Sequence, residues 1–214
     1  MRNAMKVRTE ARREAIVAAA AQLFQQMGYE RASMNELAKR LGGSKATLYN
    51  YFPSKEELFS AVIRTYATRH LTDAASALDL PRKQNVTLEE KLQHFGEQML
   101  NVMTTDNTAL SVYRMVVAEA GRSEMGMLFY ESGPRESVEK LARLLSSAMD
   151  NGVLRIGDPR IRALQFLALL TAEIEERIYQ RTAPPLSLKR VQEMTACAVR
   201  MFMAGAAIAA APAD

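Results

Sequence analysis

The run Ser44-Lys45-Ala46-Thr47-Leu48-Tyr49-Asn50-Tyr51 gathers an ammonium, a carboxamide, two hydroxyls and two phenol rings in one short stretch. These groups form no nucleophile–base pair and no metal-ligand set, so their chemistry is recognition. Lysine and asparagine bond base edges and phosphates, and a threonine methyl or tyrosine ring meets the methyl of thymine. Ser44 is suited to cap a helix whose first N–H groups point outward, and such a terminus attracts phosphate. Lys55, at the start of the next helix, adds a second expected phosphate anchor.

The elements around this run must hold it. Ile16, Ala19, Ala20, Leu23 and Phe24 recur at helical spacing, which predicts a helix from about Thr9 to Met27, closed by Gly28. Ser33-Met34-Asn35-Glu36 has the capping-box spacing and opens a short helix with Met34, Leu37, Ala38 and Leu41 inward. Gly42-Gly43 breaks it. Lys45–Tyr51 is then a second short helix, ended by Pro53. Leu37, Ala38, Leu48 and Phe52 are the residues expected to pack the two together. Two short helices joined by a tight glycine turn are the shape of a helix-turn-helix. Ser54 to Glu57 forms a further capping box, opening a long helix toward Ala77.

Charge points the same way. Residues 1–70 hold 12 Lys/Arg against 6 Asp/Glu, whereas the remainder holds 16 against 18. A basic first third suits an anionic partner.

The rest of the 214 residues also reads as helix, with a third capping box at Thr87–Glu90 and proline starts at Pro134 and Pro159. The expected fold is all-α, of about nine helices. A flexible basic arm over 1–8 precedes a helix-turn-helix domain over 9–69, with its motif at about 32–51. A helical domain fills 70–214. Ten glycines and seven prolines are too few for an all-β chain. No run is apolar enough to span a membrane. The apolar run Ile16–Ala21 is too short for a signal peptide, and Glu10 and Glu14 replace its basic flank, so a cytoplasmic protein is expected. The single cysteine, Cys197, forms no internal disulfide and reads as a small core residue. His70 and His94 are the only histidines, so no metal site is expected, and no cofactor motif is present.

The segment Ser44 to Leu58 closely resembles the DNA-reading segment of the tetracycline-repressor (TetR) family. Gly28-Tyr29, Ser33, Leu37-Ala38 and Gly42 fall in register with it, over roughly residues 9–69. Gly43 stands where that family usually has valine, and Leu41 where it usually has alanine, as if to refill the space. The resemblance implies a dimeric, ligand-responsive transcription factor, usually a repressor, on a palindromic operator. It implies that Ser33, Ser44 and Lys55 contact phosphates. Lys45, Ala46, Thr47 and Tyr49 would face base edges, with Asn50 and Tyr51 near the backbone. The stretch from Val112 to about Tyr179 resembles one C-terminal subtype of the family, more weakly.

Nine of the 13 methionines fall between Met99 and Met203, and flexible methionines suit irregular apolar cavities. Phe95, Met99, Met103, Tyr113, Met115, Phe129 and Phe166 are the candidate lining for a small apolar or amphipathic effector, with Glu119 to orient a polar group. Ordinary core packing is the competing role for each. Glu173 and Arg177 have the spacing of a helical ion pair. Leu164 to Ile178 is apolar nearly all round, so the last two helices, about 158–180 and 187–209, are expected to pair two subunits. The alternative to a ligand-released repressor is a helix-turn-helix activator or nucleoid-associated factor without an inducer. An enzyme is not expected, because no catalytic motif is present.

Overall fold

The structure, a computed structural model, describes residues 2–78, 86–105 and 107–208, with side chains from Thr9 onward. The helices are α1 (Arg2–Met27), α2 (Met34–Arg40), α3 (Lys45–Tyr51), α4 (Lys55–Ile63) and α5 (Arg69–Ala77). They continue with α6 (Leu88–Leu100), α7 (Thr108–Glu119), α8 (Met125–Glu131), α9 (Pro134–Asp150), α10 (Pro159–Tyr179) and α11 (Leu188–Ala206). A π turn over Arg64–Thr68 joins α4 to α5, so Lys55–Ala77 is the long helical run expected. Among the described residues there is no strand, only an isolated antiparallel bridge between Leu154 and Ala207.

The helix starts follow local chemistry. Ser33, Ser44, Ser54 and Ser187 each accept a bond from the backbone N–H three residues on, satisfying a donor that the helix cannot. Thr87 and Glu90 close a capping box in both directions, at 3.2 and 2.8 Å. Glu36, expected in such a box, reaches Arg40 at 3.6 Å. Helix α1 begins at Arg2, earlier than the arm expected over 1–8, because no glycine or proline precedes Gly28 to stop it. The side chains of 1–8 lie outside the described residues, as does residue 209, the expected end of the last helix.

The chain forms two compact units. The first comprises residues 1–69 and 108–132. Its core is Phe24, Leu37, Leu48, Phe52, Leu58 and Phe59 from the N-terminal helices, with Val112, Val116 and Met125 from α7 and α8. Phe59 stands edge-on to Phe24 at 5.2 Å and lies 4.9 Å from Tyr29. Residues 108–132, outside the domain expected over 9–69, also belong to this first unit. Their apolar face is buried against α1, α4 and the π turn.

The second unit comprises residues 70–107 and 133–214. Leu92, Phe95, Leu141, Leu145, Phe166 and Leu170 form its centre. Gly96 makes the close crossing possible, since a Cβ there would lie 2.5 Å from Thr195 Cγ2. Helix α10 is more two-faced than its sequence suggests. Ala163, Phe166 and Leu170 are buried, while Ile161, Leu164 and Leu169 remain 49, 40 and 37 % exposed. Cys197 is exposed on α11, not packed in the core as expected, because it follows Glu193 on that helix's outward face. Glu173 is bound by Arg190 of α11, and Arg177 donates to the Pro184 carbonyl.

His70, in α5, is largely buried. Burial pushes its imidazole down from 6.5 to about 4, against the opposing pull of Asp73. An unfolded chain takes up this proton near pH 6.5 and the folded chain only near pH 4. Stability present above pH 6.5 is therefore lost as pH falls toward 4, by roughly 3 kcal/mol. Urea titrations at pH 7 and pH 4.5 should show this loss in the wild type and a smaller loss in His70→Gln.

Candidate nucleic-acid interface

Helix α3 buries one side chain, half-buries another and leaves the others in solvent. Leu48 is buried, Tyr51 is half-buried, and Lys45, Ala46, Thr47, Tyr49 and Asn50 are exposed. Phe52, just beyond the helix, is buried and carries the Arg13 guanidinium over its ring at 4.9 Å. The inward residues are those expected, and they fix which face of α3 meets solvent. Gly42, with φ +62°, makes the turn that brings α3 across α2.

The exposed face is organised. Ser44 Oγ accepts from the Thr47 N–H at 3.1 Å, and the two hydroxyls bond at 2.8 Å. Lys45 Nζ lies 5.7 Å from the centre of the Tyr49 ring, one helical turn on. Ser33 is exposed at the start of α2, its Oγ accepting from the Glu36 N–H. An ammonium, an amide, a phenol and hydroxyls thus share one solvent face, and they present donors and acceptors without a reaction centre.

Lys55, expected as a phosphate anchor, is engaged by the protein's own backbone. Its ammonium donates to the carbonyls of Tyr29, Ala32 and Glu30, at 3.0, 3.3 and 3.4 Å. It also lies 4.1 Å from the centre of the Tyr29 ring. An ammonium has three donors, and all three are engaged. The Tyr29 hydroxyl in turn donates to Glu56 Oε1 at 3.0 Å. Burial, then this bond to Glu56, raises the Tyr29 phenol above its ordinary value. Bonding to its own backbone N–H, then to Tyr29 and Ser54, holds the Glu56 carboxyl below its ordinary value. Lys55 therefore ties the start of α4 to the loop between α1 and α2.

The eight expected effector residues fall four to each unit. In the first, the Tyr113 and Phe129 rings meet at a tilt, 5.5 Å between centres, and Met115 is partly buried against the same core. Glu119 Oε2 is buried there without a hydrogen-bond partner, as is Thr68 Oγ1. In the second, Phe95 and Phe166 are fully buried against each other at 6.4 Å, and Met99 and Met103 are largely covered. That unit also carries an open groove of about 620 Å³ between α6 and α11, lined by Gln93, His94, Glu97, Val199, Arg200 and Met203 among others. None of the expected residues lines it. It arises from a crossing of two helices distant in sequence, which periodicity cannot reveal. Among the described residues no cluster of His, Cys, Asp or Glu is suited to a metal ion. No described helix is long and apolar enough to cross a membrane.

A three-helix head with a short, polar-faced third helix on a basic unit defines a helix-turn-helix DNA-binding protein. Residues 16–62 match the bacterial regulatory proteins of the tetR family, and residues 90–205 match the AefR-like transcriptional repressor C-terminal domain. The chain belongs to the TetR family of DNA-binding transcriptional regulators. Among solved structures it is similar to the flavonoid-responsive regulator FrrA, at 32% identity and TM-score 0.66, covering 94% of this chain and 100% of that one. The uncharacterized HTH-type transcriptional regulator YhgD of Bacillus subtilis (strain 168) is 22% identical over 184 residues, 84% of this chain and 90% of the relative. The HTH-type transcriptional activator FasR of Mycolicibacterium smegmatis is 30% identical over 105 residues, 49% of this chain and 45% of the relative.

Two substitutions separate reading from scaffolding. Tyr49→Ala should cost about 1–3 kcal/mol of specific DNA binding and relax the preference at one base step. Lys55→Met should lower the unfolding midpoint, because it removes the ammonium's part-buried bonds to the Tyr29 and Ala32 carbonyls, worth about 0.5–1.5 kcal/mol each. It should leave the salt dependence of DNA binding unchanged, whereas a phosphate anchor would lose about one counterion of slope. Binding isotherms at several salt concentrations, with thermal melts, check both.

Proposed function

We propose that this chain is a homodimeric repressor, released from a palindromic operator by a small hydrophobic or amphipathic ligand. The observation that carries the DNA part is the α3 face, where one buried leucine sets five exposed candidate contacts toward solvent. The proposed contacts are Ser33, Ser44, Lys45, Ala46, Thr47, Tyr49, Asn50 and Tyr51. Lys55 acts by holding the loop that leads into Ser33. A DNA-bound regulator of this kind works in the cytoplasm.

Dimerisation through α10 and α11 is supported by the outward apolar residues Ile161 and Leu164 on α10 and Met201 on α11. Large side chains exposed along adjacent helices favour burial against a second subunit. Leu170 is 1 % exposed within its own unit, so Leu164 is the informative position. Leu164→Arg should shift sedimentation from dimer to monomer while the helical spectrum persists. An unchanged dimer would place the interface elsewhere.

Effector control is supported by the unpartnered Glu119 carboxylate oxygen beside an aromatic and methionine-rich core. A buried acceptor without a partner costs about 1–3 kcal/mol, and a ligand donor would recover it. The name of FrrA, a flavonoid-responsive relative, points to planar hydroxylated aromatics as first compounds to assay. A ligand must favour the DNA-incompetent state, since equal affinity shifts nothing. A coupling of about 1–3 kcal/mol would weaken operator binding roughly 5–150-fold. Glu119→Gln should reduce that release without altering DNA affinity in the absence of ligand. The activator reading is favoured by the FasR likeness. Transcription in vitro from a promoter carrying the bound duplex decides between them, as repression or stimulation by added protein.

A further inference from the structure

Gly43 lies next to Gly42 in the turn before α3, yet its backbone does not need to be glycine. Gly28, Gly42 and Gly152 have positive φ, and Gly43 does not. What Gly43 supplies is space. A Cβ at this position would lie 3.1 Å from Nη2 of Arg12. Arg12, on α1, lines a small cleft together with Ile16, Leu41, Gly43, Ser44 and Thr47. The space that Leu41 was expected to refill is therefore shared with an arginine.

The Arg12 guanidinium is uncommitted. Arg13 stacks on Phe52, and Arg40 donates to Gln26 at 2.7 Å. Among the described residues no hydrogen bond or ion pair engages Arg12, and it is half-buried. Ser44 and Thr47, the polar edge of the cleft, already bond to each other at 2.8 Å. An unpaired guanidinium keeps five donors in a planar fork, a shape that matches two oxygens of a phosphodiester. Its neighbours Ser44 and Thr47 belong to the face that meets DNA.

We propose that Arg12 contacts the DNA backbone beside α3, and that Gly43 is a positioning residue whose missing side chain leaves room for it. The inference rests on the helix-turn-helix reading of DNA and adds a contact from α1.

The test uses the full chain and a duplex that the wild type enriches from a random pool, titrated across salt concentrations. Arg12→Met should weaken binding to enriched and unrelated duplexes alike. It should lower the salt slope by about 1 per contact, or about 2 for a dimer. Arg12→Lys should restore most of the slope. Gly43→Val should reproduce the loss in the Arg12 background and add nothing to Arg12→Met, because the two act through one contact. Should Gly43→Val fail to fold, the two Arg12 variants decide alone. A lowered melting midpoint with an unchanged slope in Arg12→Met would make Arg12 a prop in the turn and overturn the proposal. If the wild type binds no duplex, the contact and the DNA reading fall together.

Discussion

A helix of seven residues does not hold itself in water. Helix α3 is that short, and it gives one fully buried side chain, Leu48, to the core. Its position therefore depends on what grips it from outside. Leu48 and the following Phe52 enter a core built by α1, α2 and α4. Burying each is worth about 1.5–3 kcal/mol. The Ser44 cap adds about 1 kcal/mol at the other end. With the grip concentrated on two side chains and a cap, the remaining residues of α3 are left for recognition. Much of the first unit, including α7 and α8, exists to complete that core.

The polar groups of this unit divide into those that are committed and those that are not. Lys55, Tyr29 and Glu56 form a closed set, in which each donor has an acceptor and the loop before Ser33 is fixed. Lys45, Asn50 and Arg12 belong to the open set on the outer face, and Glu119 Oε2 and Thr68 Oγ1 to an open set inside. A buried polar atom without a partner costs stability, whereas the exposed Lys45 and Asn50 are hydrated and can exchange water for a partner. Their placement is thus a physical argument for a phosphate and base partner outside and a polar effector group within.

Local chemistry was readable from the sequence. Capping serines, paired glycines and helical periodicity locate most elements, and the spacing of Leu37, Ala38, Leu48 and Phe52 marks the packing residues that the structure buries. What was not readable is what each face packs against. Val112 and Val116 join the N-terminal core, a destination that helical periodicity alone does not give. Reach was equally hidden. Lys55 has the type and position of a phosphate anchor, and only the arrangement of three carbonyls shows where its ammonium goes. Residue type favours the interior for Cys197, and the helix phase puts it outside. The signal for Arg12 was present at Gly43, a glycine where an apolar side chain was expected, without any indication of which residue would fill the gap.

The central claim is that the α3 face reads DNA, two copies at a time. Sequencing the duplexes retained by the full-length wild type from a random pool tests it most directly. The account requires an enriched inverted repeat whose half-site centres lie about one helical turn apart (~34–36 Å), or a multiple of it. A retained pool with no common sequence, or with a single unrepeated site, would contradict it.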